Sequence, residues 1–327
     1  MKIGIIGSGA IGGVFANKLQ SAGYSVTFFS KREDLEIDCI LNSFGKIRFE
    51  RIKNYRVKSS KDYFDIIIIA VKIYDLQATI EEYNSILKNS KYILPIQSYI
   101  NFDKLDWGGN NHKIYPTSIM FGAFGKPDSL ITYFSDGFVC IGNLNSTKYL
   151  KILKDVIGTV CQVYITCDIS FQMFVKVLVN ASLVSFCIES LCSFGLSINT
   201  EQKIKKAANV FFEGIELSKR IFSEENCLYP SNLKLKQINT LSDSIEIVRK
   251  IINKYYDVIP SIVFDVIRKG PTEMPYIFDD LLDLGIKNDV KMNALIQMKL
   301  YANKFINHHN SKKVFHKITS RKRYDNL

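Results

Sequence analysis

The sequence predicts an α/β protein: a doubly wound parallel sheet in the first half, followed by an all-helical second domain. Three observations carry this expectation. A strand, a glycine turn and an amphipathic segment follow one another at the start of the chain. A continuously apolar, β-branched run, Asp65-Ile66-Ile67-Ile68-Ile69-Ala70-Val71, has the character of a central strand covered on both faces. From about residue 168 onward, β-branched alternation gives way to long segments of helical periodicity.

The elements follow in order. Residues 2–6 (KIGII) form a short strand, Ile11 to Ala22 an amphipathic helix broken at Gly23-Tyr24, and Ser25 to Phe29 a second strand. Together they make a β-α-β unit of about 30 residues. After the isoleucine strand, Leu76 to Leu87 is helical in pattern and Tyr92 to Ile96 is a strand, so strands and helices alternate. Residues 129–143 are expected to form a hairpin turning at Asp136-Gly137. Helices are expected over about 169–190, 200–225, 239–269 and 289–307. The resulting domains are 1–167 (sheet), 168–310 (helical) and a basic tail, 311–327.

Composition narrows the class. With 47% hydrophobic and 23% charged residues, the 327-residue chain is globular rather than disordered. Its net charge of +11 suits an anionic ligand. No zinc spacing, heptad or aromatic-rich basic repeat points to metal or nucleic acid. Lys312, Lys313, Lys317, Arg321, Lys322 and Arg323 crowd the tail, where a solvated end is the plain reading. Seven cysteines without a CxxC pair are expected to be reduced, mostly buried thiols. The first strand leaves no room for a signal peptide, and the apolar stretch Val177 to Ile188 is short for a bilayer. A cytoplasmic protein with no membrane partner is expected.

The first motif is Gly7-Ser8-Gly9-Ala10-Ile11-Gly12, a GxGxxG between strand and helix. Gly7 permits the tight turn, Gly9 lets backbone approach a pyrophosphate, and Gly12 allows close helix packing. The helix N-terminus offers N–H groups to phosphate, the signature of a Rossmann dinucleotide site. A plain glycine turn is the alternative. At the end of the second strand, Ser30-Lys31-Arg32 offers two cations where an NAD enzyme usually places a carboxylate. Lys31 and Arg32 therefore favour the 2′-phosphate of NADPH, with a solvated loop as the other reading. Lys72 follows the isoleucine strand, at the sheet edge where ligands bind, though lysine is also ordinary there.

Reduction of a keto group needs a proton as well as a hydride. Three of the four histidines, His308, His309 and His316, lie near the end of the sequence, and His112 is in a polar loop, so a histidine donor is poorly supported. Lys176 stands among apolar residues on a predicted helix, with Asn180 at i+4 on the same face. Desolvation there would ease proton donation. A lysine snorkelling at a helix edge is the competing reading.

At these residues the chain resembles the ketopantoate reductase (2-dehydropantoate 2-reductase) family, collinearly over about residues 1–300. The resemblance rests on the GxGAxG of Gly7 to Gly12, on Lys72, on the K-x-x-x-N of Lys176 and Asn180, and on Ser261, Asp265, Thr272 and Glu273 in the order S-x-x-x-D-x(6)-T-E. It implies that Lys176 is the general acid and that Glu273 orients the lysine or cofactor. It implies that Asn180 and Ser261 hydrogen-bond substrate, and that Ser98 lies against both cofactor and substrate. The implied reaction is reduction of 2-dehydropantoate to pantoate with NADPH, on the route to pantothenate and coenzyme A. A homodimer is compatible with the sequence. Two positions depart from the family: Ser98-Tyr99 stands where Asn-Gly is usual, and Val184 where a second asparagine often follows Asn180. The departures bear on substrate choice, so a reductase of another small 2-keto acid, or a non-catalytic NADPH-binding protein, remain the alternatives.

Overall fold

The computed structural model describes residues 1–29, 37–43, 46–52, 62–97, 100–124, 130–133, 137–142, 150–222 and 237–311. It divides into two compact units, Met1–Met173 and Phe174–Leu327. The first carries β1 (Lys2–Ile6), α1 (Ala10–Ser21), β2 (Ser25–Phe29), β3 (Ile37–Ser43), β4 (Lys46–Ile52) and β5 (Phe64–Ile69). These are followed by α2 (Leu76–Glu82), α3 (Asn84–Lys88), β6 (Ser90–Pro95), β7 (Thr117–Ile119), β8 (Ala123–Phe124) and β9 (Leu130–Tyr133). The unit continues with β10 (Phe138–Gly142), α4 (Leu150–Gly158), β11 (Gln162–Thr166) and the start of α5 (Ile169–Ser190). In the second are the rest of α5, α6 (Phe194–Ser197), α7 (Glu201–Ile221), α8 (Leu241–Lys254), α9 (Ser261–Ile267), α10 (Met274–Lys287) and α11 (Asn293–Ser311).

The main sheet is wholly parallel in the order β2-β1-β5-β6. Its strands are apolar because both faces are covered: Ile3, Ile5, Ile66, Ile67, Ile68 and Ile69 have no exposed surface. Parallel bridges at Ile93–Ile114 and Ile96–Thr117 carry the ladder from β6 towards β7, which pairs with β10 and, beyond it, β11. One core cluster joins Phe15 and Leu19 of α1, Leu153 and Ile157 of α4, and the sheet residues Ile5, Ile68 and Leu94. The expected doubly wound sheet is thus present.

Several elements differ from the sequence reading. Among the described residues of 129–143, the two expected hairpin strands do not pair with each other. β9 pairs with β3 and β8, whereas β10 pairs with β7 and β11, so the two runs belong to different sheets. Gly137 is not a free turn glycine, because a Cβ there would stand 2.3 Å from the Met120 carbonyl oxygen. The segment read as one helix over 239–269 is two, α8 and α9, separated around Pro260, which cannot donate the backbone bond a continuing helix needs. α10 escaped the sequence reading, since Gly270-Pro271 before it and Pro275 within its first turn resemble loop chemistry. Proline in a first helical turn replaces an N–H that has no partner anyway.

α5 is the axis of the second unit. α7 crosses it where Gly214 leaves no room for a side chain: a Cβ would lie 2.1 Å from Leu178 Cδ1. α11 meets it through the Ser185 hydroxyl, which donates to the Met298 carbonyl at 3.1 Å, and through Phe186 against Tyr301 at 5.7 Å. The helix is longer than the apolar stretch read from the sequence. By length and composition it could cross a membrane, but its apolar window is 89% buried, as in the core helix of a folded domain.

Cys140 and Cys187 are free and buried, Cys161 and Cys192 free and half-buried, and Cys167 free and exposed. Burial pushes the thiols of Cys161 and Cys187 up to about 12, which makes both poor nucleophiles.

Candidate active site

The glycine turn is built as its chemistry requires. Gly7 has φ +108°, and a Cβ on it would lie 2.8 Å from the Ala70 carbonyl carbon and oxygen. Any other residue would meet both strain and the chain leaving β5. Gly12 lets α1 lie close to the strand ends, since a Cβ on it would come within 2.0 Å of the Gly7 carbonyl oxygen and 3.4 Å of the Phe28 ring. Gly9 is different. It precedes α1 as its N-cap, with no side-chain cap, and the position of its missing Cβ has nothing within 4 Å.

Such a cradle fits a dinucleotide pyrophosphate. The first-turn N–H groups of α1 have no intrahelical acceptor by the geometry of any helix, and its first turn holds no acidic residue. Residues 70–72 form the adjacent wall. The Ala70 amide donates to Ile6 at 2.7 Å, and half-buried Lys72 follows at the same C-terminal sheet edge as the glycines. Gln97, only 5% exposed, donates through Nε2 to the Val71 carbonyl and so ties the end of β6 to the end of β5. Sequence reasoning gave Gln97 no role, and its signal is its place two residues past a buried strand. Lys31, Arg32 and Ser98 lie outside the described residues.

In the second unit, Lys176 and Asn180 sit one turn apart on α5. Both are half-buried, while Phe174, Val175, Val177, Leu178 and Val179 around them are buried. A nearly apolar helix thus leaves an ammonium and an amide partly open along one face. Gln172, one turn earlier on that face, is fully buried. Ser261 is exposed at the first position of α9, and Asp265 is half-buried one turn on. Glu273, half-buried, occupies the N-cap of α10 and makes no side-chain capping bond. Among the described residues no group of three or more His, Cys, Asp or Glu could hold a metal.

Residues 3–146 match the family model described as Ketopantoate reductase PanE/ApbA. Over that stretch, which is less than half of the chain, the sequence is similar to the ketopantoate reductases. A 2-dehydropantoate 2-reductase of Aquifex aeolicus (strain VF5) is 23% identical over 299 residues, covering 89% of this chain and 92% of that one. Among solved structures, D-mandelate dehydrogenase in a ternary structure with NADH and anilino(oxo)acetate superposes with a TM-score of 0.78 at 19% identity, over 95% of this chain and 100% of that one. The 2-dehydropantoate 2-reductase of Geobacter metallireducens GS-15 gives 0.72 at 16% identity, over 93% and 99%. At such identities the structural likeness establishes the fold alone.

Proposed function

We propose that this chain is an NADPH-dependent reductase of a small 2-keto acid, with 2-dehydropantoate as the first substrate to test. One observation carries the reading: Lys176 and Asn180 are half-open polar groups, one turn apart, among buried apolar residues of α5. Ordinary surface lysines are not placed so, because partial burial costs an ammonium its hydration.

Bound NADPH would supply a hydride for the carbonyl carbon. The chain's own residues do the rest. Gly7, Ser8, Gly9, Ala10, Ile11 and Gly12 seat the pyrophosphate, and Lys31 and Arg32 favour a 2′-phosphate over a 2′-hydroxyl. Lys72 and Ser98 belong to the same cofactor-binding group. Lys176 gives its proton to the carbonyl oxygen as that oxygen gains negative charge. Asn180 and Ser261 hold the substrate's polar groups, and Glu273 orients the lysine or cofactor. Place in pantothenate and coenzyme A synthesis, in the cytoplasm, belongs to the same proposal.

A second reading is favoured by Val184, which is 1% exposed one turn beyond Asn180, and by the likeness to a mandelate dehydrogenase. An apolar group there suits a 2-keto acid with an apolar or aromatic side chain. NADPH oxidation by the purified chain with ketopantoate and with an aromatic 2-keto acid separates the two. Lys176→Ala is expected to lower turnover about 10²–10⁴-fold with NADPH affinity retained. Equal turnover in that variant would exclude Lys176 as the acid.

A further inference from the structure

Beyond β6 the chain carries a polar side chain that the fold itself does not use. Asn101 is 7% exposed, and its Nδ2 is buried with no hydrogen-bond partner. It precedes a short 3-10 turn, Phe102–Lys104, at the position where asparagine commonly caps, yet it makes no capping bond. A buried donor without an acceptor opposes folding. A second case stands on the neighbouring strand: Ser118 of β7 is fully buried and its Oγ has no partner.

Register places Ser118 at the end of the sheet that Gln97 also marks. The parallel bridge Ile96–Thr117, with the Gln97 amide donating to the Thr117 carbonyl at 3.2 Å, sets Ser118 just past the last paired residue of β6. Ile119 joins the core cluster with Phe15 of α1, so by strand alternation Ser118 faces the opposite side. Asn101 follows four residues after Gln97, whose own amide is spent on Val71. This is the C-terminal edge, where open parallel sheets bind ligands. With phosphates seated on the β1–α1 turn, the order β1-β5-β6 runs along that edge away from the phosphates, towards the reacting end of a dinucleotide.

We infer that Asn101 is a ligand-binding residue whose Nδ2 donates to a carbonyl or carboxylate oxygen of the reacting pair. The inference rests on the reductase reading above. That oxygen belongs either to the nicotinamide carboxamide or to the 2-keto acid, and binding measurements separate the two.

The test compares the wild type with Asn101→Ala and Asn101→Asp in three measurements: NADPH affinity by fluorescence titration, KM for the best-reduced 2-keto acid, and ligand-free melting temperature. Asn101→Ala is expected to weaken one of the two affinities about tenfold, while ligand-free melting stays level or rises because no protein partner is lost. Weakened NADPH binding assigns the oxygen to the carboxamide, and a raised KM alone assigns it to the acid. A lower melting temperature with both affinities intact would make the amide a structural partner and overturn the inference, as would three unchanged measurements. Asn101→Asp, which keeps the shape and removes the donor, gives a second reading should Asn101→Ala fail to fold: unchanged affinities there, in a folded protein, also overturn it. A wild type that neither binds NADPH nor reduces any 2-keto acid overturns the reductase reading and this inference together.

Discussion

The three glycines of the first turn are required for different reasons, and that difference is measurable. Gly12→Ala would drive a methyl group onto the Gly7 carbonyl oxygen, so the ligand-free protein should lose about 1–3 kcal/mol in urea unfolding. Gly9→Ala meets only open space in the protein, and ligand-free stability should change by less than about 0.5 kcal/mol. NADPH affinity, by contrast, should fall sharply in Gly9→Ala, because the added methyl occupies the place kept for phosphate. Equal NADPH binding by Gly9→Ala and wild type would remove Gly9 from the cofactor site. The glycines were legible because spacing alone encodes them. Asn101 and Gln97 were not, because their interest lies in which buried amide has an acceptor. That depends on what each strand end meets, and no local pattern records it.

Helices α5, α7 and α11 are joined at one carboxylate. Glu189 of α5 accepts from Lys203 of α7 at 2.7 Å and from the hydroxyl of Tyr301 on α11. Burial alone would raise its pKa, but these hydrogen bonds and the charges of Lys203 and Lys206 outweigh it and hold the carboxyl below its ordinary value. A carboxyl depressed in the folded state contributes stability above its unfolded pKa, and that contribution fades as pH falls through the folded one. Glu189→Gln should therefore cost about 1 kcal/mol at pH 7, and the gap to wild type should close in acid, below the ordinary carboxylate range. Melting curves across pH test this, and a gap independent of pH would refute it. At this scale the sequence was readable where periodicity was long, as for α5 and α7. It misled where two strands close in sequence belong to different sheets, as β9 and β10 do, because pairing partners are chosen by distant residues. α10 was hidden by proline and glycine, whose usual association with loops lapses in a first helical turn and at Gly285, where a Cβ would crowd Met292.

At the scale of the whole chain, the glycine turn belongs to the compact unit Met1–Met173 and Lys176 to Phe174–Leu327. A ligand that binds only the folded form stabilises it, by about 2.7 kcal/mol at a hundred times its dissociation constant. Calorimetry with saturating NADPH should accordingly move a melting transition up by several degrees. An unmoved thermogram would contradict dinucleotide binding.

The depth at which α5 lies also has a consequence for how the protein is made. Its cover comes from α7 and α11, and α11 begins about a hundred residues after α5 ends. A ribosome adding about 5–20 residues each second leaves a 22-residue apolar rod uncovered for several seconds before its last neighbour emerges. For that interval the nascent polypeptide displays to the cell the kind of segment that chaperones and membrane-insertion machinery compete to capture.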